Sequence, residues 1–331
     1  MGRNTEAQAT GRVLSAITRC KRHIPIVLIA AIVAAVFSRT LFLGQVLYRG
    51  DIEAATMPWF AFLSHERQAG QWLPWCTGVG CGFPLWANMQ TGAFYLPNLL
   101  GILRIAPAWT LAFLFALHYF WAALGMYVLG RRFRLGTLGS FSAGIVYALT
   151  GFMVAHQIHY SLICAASWLP WFAVGTMLWA LRRSVAGLVL ASISLASAWL
   201  NHPQSPVFIV AFGLACTSVA VLVMRQREGS VCRQVLPSLA VAMLPVAVGT
   251  LLGGVVLWPA YELVRAGCGE ARSGYEFMTS FSLPPRQLVT FLLPDFWGGP
   301  WDYSGAWNHW ETCGYAGGIC LLVRLCPKLS G

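Results

Sequence analysis

Charged side chains are scarce in this sequence, at 10% of 331 residues, where a soluble globular protein carries roughly 25%. That scarcity excludes a water-soluble fold, because too little polar surface exists to cover a chain that is 57% hydrophobic. A Gly-Lys-Ser/Thr ending is also lacking after any glycine-rich turn, which excludes a phosphate-cradling nucleotide loop. Ten cysteines are present; Cys76 and Cys81 are expected to be able to bridge outside the cytoplasm, and the other eight follow no metal-ligand or disulfide-framework spacing. No small-residue cleavage site follows the basic N-terminal tail, so the first apolar run reads as an uncleaved span and not as a removable signal.

Aromatic residues, by contrast, are abundant: 15 Trp, 19 Phe and 10 Tyr. Many flank apolar runs, where amphipathic rings favour the bilayer interface. The formal charge of +11 would suggest nucleic acid if the basic residues formed one patch. They are dispersed along the chain, and no nucleic-acid partner is expected.

Crossing the hydrocarbon takes about 20 apolar residues. The sequence predicts an all-α polytopic membrane protein with seven to eight spans, near 25–44, 108–129, 138–156, 162–181, 185–200, 205–224, 236–260 and 313–325. The third and fourth are open to interruption at Gly151 and Pro170, which membrane helices tolerate when neighbours satisfy the freed backbone. Residues 1–23 form a basic tail, 24–325 a membrane domain and 326–331 a short end.

Short loops rich in Lys and Arg stay on the cytoplasmic side. With the N-terminus inside, the inner segments are the tail (Arg3, Arg12, Arg19, Lys21, Arg22), Arg131/Arg132/Arg134, Arg182/Arg183, Arg225/Arg227/Arg233 and Arg324/Lys328, fifteen of the 22 basic residues. Nine of the 11 acids fall outside: Asp51, Glu53, Glu66, Glu262, Glu270, Glu276, Asp295, Asp302 and Glu311. Two outer segments are long, 45–107 and 261–312. They are rich in Trp, Phe, Pro and Gly, which predicts folded loops on the membrane surface and not disorder.

The first outer segment opens with Tyr48-Arg49-Gly50-Asp51-Ile52-Glu53 and continues into an amphipathic stretch (Met57, Trp59, Phe60, Phe62, Leu63) suited to lying in the interface. Two carboxylates this close can hold a divalent metal through Asp51, or one can take a proton from an acceptor hydroxyl while the other positions it. Taken alone, Asp51 reads better as the cap of the following helix. Next comes a Gly/Pro-rich stretch from Cys76 to Pro97, in which Trp86, Phe94 and Tyr95 supply stacking faces and Asn88 and Gln90 supply amides. Such a set suits a sugar site, and packing of a re-entrant loop explains it almost equally well.

Asn201-His202-Pro203-Gln204 forms a polar outer turn, where a His can bind phosphate or shuttle a proton, or simply meet water. His118 reads as an interhelical hydrogen-bonding residue inside the second span. His156 and His159 read as loop residues at the outer end of the third span. Glu262, if below the interface, is a functional candidate. Arg265, Arg272 and Arg286 suit a lipid phosphate geometrically, or else pair with nearby acids.

In order along the chain, the Gly-Asp after the first span, Gly-Phe-Pro-Leu-Trp, His-Pro-Gln, Pro-x-x-Glu-Leu and the run from Pro-Asp-Phe-Trp-Gly to Trp-Glu-x-x-x-Tyr-x-Gly resemble the YfhO family of bacterial membrane proteins. The likeness covers residues 24 to 320 and the N-terminal part of that family. The family in turn looks related to polytopic C-type glycosyltransferases, which transfer a sugar from a polyprenyl-phosphate carrier to an acceptor outside the cytoplasm. The resemblance implies a multi-pass protein of the bacterial plasma membrane, with a polyprenyl-phosphate-linked sugar, a cell-envelope glycan acceptor and membrane lipid as partners. It raises Asp51 to the catalytic position, with Glu53 as companion.

His202, Gln204 and Arg272 match the family's residues, and the chemistry suggests that they face the carrier phosphate, with Trp86, Asn88 and Glu262 completing the substrate-binding set. A transporter or non-catalytic assembly partner for lipid-linked sugars is the alternative. The final apolar run is only a dozen residues long before Arg324, too short for about 30 Å of hydrocarbon. The sequence therefore reads as a truncated or frame-shifted product, and an inactive truncated product is a further alternative.

Overall fold

The computed structural model describes residues 23–47, 49–225, 231–267, 275–280 and 282–315. All regular structure among them is helical, apart from one isolated bridge between Cys76 and Phe83. Among the described residues, five helical stretches are long and apolar enough to cross a membrane: Pro107–Arg132 (α3), Thr137–Ile158 (α4), Tyr160–Arg182 (α5), Ser205–Arg225 (α7, apolar through Val223) and Val231–Ala266 (α8, apolar from Val235). Two expected spans are shorter. The first, His23–Val36 (α1), turns at Phe37 into the separate helix Ser38–Phe42. Val185–Trp199 (α6) has 15 residues, about 22 Å at 1.5 Å per residue. The eighth expected run lies outside the described residues beyond 315.

Both interruptions foreseen from Gly and Pro are present. Within α4 the helix stops at Leu149 and restarts at Gly151, where Thr150 Oγ1 accepts the Met153 N–H at 3.3 Å. Within α5, Trp168 closes one helix and opens the next, so that Pro170 enters where its missing N–H breaks no helical bond. By contrast, α8 runs through Pro237, Pro245 and Pro259 and carries Tyr261 and Glu262 as helix, so the second outer segment starts later than the sequence pattern predicts.

The short connections at 133–136 and 183–184 turn the chain at one end of the bundle, and those at 156–159 and 200–204 turn it at the other. α5 is the central helix, with 72% of its apolar window buried against 22% for α4 and 28% for α8. Close approach to α6 depends on facing glycines: a Cβ on Gly175 would stand 2.6 Å from the Ala191 nitrogen and 2.8 Å from the Gly187 carbonyl oxygen. Small residues at such contacts let helices pack without a hydrophobic driving force.

The first outer segment is folded onto this bundle. A five-residue π turn, Ile52–Thr56, leads into Met57–Gln68 (α2), whose Phe60, Leu63, Ser64 and Arg67 are buried at helical spacing. The Arg67 guanidinium donates to the Ala93 carbonyl, and burial lowers its pKa. Short 3-10 turns then carry the chain from Leu85 to Leu103. Tyr95 and Asn98 peg this stretch into the bundle. Tyr95 Oη meets His118 Nε2 at 2.7 Å and accepts the Trp168 indole N–H at 2.8 Å. Tyr160 donates to Asn98 Oδ1 at 2.6 Å. His118 therefore hydrogen-bonds to the outer segment, while its ring meets Tyr160 of α5 edge-on at 5.9 Å.

Candidate functional site

A cavity of about 840 Å³ lies at the end of the bundle where residues 156–159 and 200–204 turn. Asp51, Gln90, His156, His159, His202 and Gln204 give it polar chemistry, and Glu311 reaches it from the second outer segment. Trp59, Phe152, Leu169 and Phe208 supply apolar wall. Residues from five separate stretches of sequence thus meet in one chamber.

Asp51 occupies the position before the π turn but makes no side-chain cap bond. The cap reading fails for that reason. Its carboxylate is 63% exposed and lies 3.5 Å from His159 Nε2, while the His159 side chain is only 22% exposed. His159 Nδ1 is buried with no hydrogen-bond partner, an arrangement that leaves a polar ring atom to be satisfied by water or a bound group. The His156 ring lies 5.4 Å from the His159 ring, held by its Nδ1–H donating to the Phe152 carbonyl at 3.0 Å.

His202 is fixed by the turn that ends α6. Its N–H bonds to the Ala198 carbonyl at 2.9 Å, and its Nδ1 meets Ser205 Oγ at 3.0 Å. Burial, with His159 adding repulsion, pushes the His202 imidazole down to about 4. At neutral pH it is an uncharged ring that can donate or accept one bond, but it supplies no positive charge. The preceding residue, Asn201, is fully buried and ties its Nδ2 to the Ser197 carbonyl at 2.8 Å. Asn201 also abuts Gly92, which is left-handed at φ +58°. A Cβ there would fall 2.9 Å from Asn201 Oδ1 and 2.4 Å from Asn98 Nδ2, so this glycine lets the first outer segment dock against the turn that carries His202.

Other expected site residues fall elsewhere. Glu53 is exposed and does not line the cavity; two positions further along a helical turn it projects away from Asp51. Trp86 packs with Leu63 and Leu85, edge-on to Phe94 at 6.5 Å. Asn88 caps a 3-10 turn by accepting the Gln90 N–H at 3.1 Å and lines a separate, smaller groove beside α8. Glu262 is exposed near the end of α8 and lines neither space. Arg272 lies outside the described residues. Cys76 and Cys81 are both free thiols.

The described outer arginines Arg49, Arg265 and Arg286 lie over aromatic rings and do not pair with acids. Arg49 lies over the Trp301 ring at 3.8 Å and donates to the Pro300 carbonyl at 3.0 Å, joining the two outer segments. Arg265 and Arg286 lie over Tyr261 and Trp297, each at 5.8 Å. Among the described residues, the close cation–acid contacts all involve histidine: His65–Glu66, His159–Asp51 and His309–Asp295. No group of three or more His, Cys, Asp or Glu converges there in a way that could hold a metal. Asp51 and His159 offer two donors, fewer than a divalent cation caged by protein ligands alone uses.

Histidine pairing was the signal the sequence pattern left unused. His156 and His159 lie three residues apart at the same end as His202, which placed them within reach of one chamber. Glu311 and Gln90 carried no local mark, because only the folding of both outer segments brings them in. Comparison of the chain with protein-family models, with curated proteins and with solved structures found no match.

Proposed function

We propose that this chain is a membrane glycosyltransferase-like protein, of the kind its ordered motifs resemble in the YfhO family. It would transfer a sugar from a polyprenyl-phosphate carrier to a cell-envelope acceptor on the outer side of a bacterial plasma membrane. The reading includes a cytoplasmic N-terminus and two outer segments between seven or eight passages of the chain. Its main support is the meeting of Asp51 with His159, His202 and Gln204 in one chamber at the helix ends.

In this reading the Asp51 carboxylate takes the proton from an acceptor hydroxyl, whose oxygen bonds to the anomeric carbon. The bond from that carbon to the carrier phosphate breaks, and polyprenyl phosphate leaves. A positioned base contributes typically about 10²–10⁴-fold to such a step. His159 orients Asp51, and neutral His202 donates a hydrogen bond toward the leaving phosphate beside the Gln204 amide. Glu311, and not Glu53, is the second carboxylate of the chamber.

The test is transfer from polyprenyl-phospho-sugar in proteoliposomes. Asp51→Asn is expected to lose turnover while carrier binding persists; full turnover in that variant removes the proposed base. One observation favours a second reading, a non-catalytic transporter or assembly partner for lipid-linked sugars: among the described residues, no Lys or Arg lines the chamber. That reading expects carrier binding or movement without sugar transfer and indifference to Asp51→Asn.

A further inference from the structure

The opposite end of the bundle carries a second concave site. About 230 Å³ of space lies between the ends of α3, α5 and α7, bordered by Arg132, Arg134 and Arg182. Its floor is apolar, with Met177, Leu181 and Val223 among the lining residues. Three guanidinium groups around one small space repel one another, and none has an acidic partner among the described residues.

Neighbouring arginines are engaged differently. Arg131 donates to the Leu135 carbonyl at 2.7 Å, and Arg183 lies over the Trp179 ring at 5.9 Å. Cations at helix C-termini compensate the helix dipole, which accounts for basic residues at these ends in general. It does not account for three of them around a single recess. Arg134 also holds a left-handed backbone, φ +63°, in a turn where the Leu135 N–H reaches back to the Gly130 carbonyl at 3.0 Å. Glycine ordinarily takes that position, and here an arginine that borders the recess occupies it.

We propose that this recess binds the phosphodiester headgroup of an anionic membrane phospholipid, whose acyl chain lies along the apolar floor between α5 and α7. Basic pockets between membrane helices recognise such headgroups by charge. The guanidinium fork adds paired hydrogen bonds to phosphate oxygens that a lysine ammonium lacks. The helix-end carbonyls disfavour an anion nearer the backbone, so the phosphate sits at the forks. The recess fits a phosphate with a few attached carbons and leaves the lipid tail in the bilayer. This site is separate from the Asp51 chamber and does not depend on the function proposed for it.

The test is native mass spectrometry of the full chain in detergent with added phosphatidylglycerol or phosphatidylcholine. Phosphatidylglycerol is expected to be retained at least tenfold better. The triple variant Arg132→Gln, Arg134→Gln, Arg182→Gln should retain both lipids equally, while Arg131→Gln with Arg183→Gln keeps the preference. Should the triple variant fail to fold, the corresponding Lys triple preserves charge and removes the forks, and is expected to lose several-fold of the preference. Equal retention of the two lipids by the unaltered protein overturns the proposal, as does an equal loss in the Arg131/Arg183 variant, which would indicate diffuse charge. Complete displacement of phosphatidylglycerol by millimolar inorganic phosphate also overturns it, identifying a free-phosphate site.

Discussion

The two outer segments meet the same chamber but are held in different ways. Residues 49–105 are pegged into the interior of the bundle through side chains, Tyr95 on His118 and Trp168 and Asn98 on Tyr160, and are braced internally by Arg67 on the Ala93 backbone. Residues 282–315 attach at the rim instead, through the Gly151 N–H to the Tyr315 carbonyl at 2.7 Å and through Arg49 on Pro300 and Trp301. Trp310 also meets the His159 ring edge-on at 6.3 Å, and further bonds of the second segment are internal, as where Tyr303 Oη meets Thr312 Oγ1 at 2.8 Å and Thr290 Oγ1 donates to the Thr312 carbonyl at 2.5 Å. The first segment is therefore part of the scaffold that fixes Asp51, and the second is a wall laid against it.

If that division holds, substitutions should rank accordingly. The largest effect is on chemistry: Asp51→Asn should reduce sugar transfer by about 10²–10⁴-fold, whereas Glu53→Gln, outside the chamber, should change it less than about twofold. A comparable loss in both would place the two acids in one site after all.

Stability comes next. Tyr95→Phe leaves His118 Nε2 and the Trp168 indole N–H buried without their partner, at roughly 1–3 kcal/mol for each stranded group. His118 Nδ1 bonds to the Leu114 carbonyl at 2.6 Å and so carries the proton there, which makes Nε2 an acceptor that needs the Tyr95 hydroxyl. Tyr303→Phe in the second segment should cost about 1 kcal/mol. Thermal midpoints of the two variants in one detergent compare them directly, and equal shifts would erase the distinction between scaffold and wall.

Acidity acts on the turn against which the first segment docks. Folded His202 titrates near 4, whereas the unfolded chain titrates near its ordinary 6.5, so between those values the unfolded state binds the proton that the folded state refuses. Its contribution is fully present above pH 6.5 and is lost as pH falls toward 4. The expected loss is on the order of 1–3 kcal/mol, read as a falling thermal midpoint from pH 7.5 to 5 that His202→Asn makes shallower. The smallest expected effect is that of Arg49→Ala, about 0.5–1 kcal/mol for a ring contact of this kind. Limited proteolysis should then cut residues 282–315 faster and leave 49–105 untouched.

Much of the helical layout was legible because apolar length is a one-dimensional property: α3, α5 and α7 lie where the hydrophobic runs predict, and the breaks fall beside Gly151 and Pro170. The end of α8 was not, because Pro259 reads as a terminator and yet sits inside the helix. The site was legible in part. Asp51, His202 and Gln204 could be placed at one membrane surface from loop position alone, and the fold brings them into one chamber. Convergence itself is tertiary, so His159 and Glu311 were passed over while Trp86 and Asn88, chosen for their chemistry, serve packing and a local cap.

The account rests on the Asp51 chamber and the arginine recess lying on opposite faces of a membrane. In a background with the ten native cysteines replaced, Asp51→Cys, His202→Cys, Arg132→Cys and Arg182→Cys can each be probed with a membrane-impermeant maleimide in intact and in opened cells. The account predicts that the first two label in intact cells and the last two only after opening. Labelling of Asp51→Cys and Arg182→Cys from the same side would contradict it.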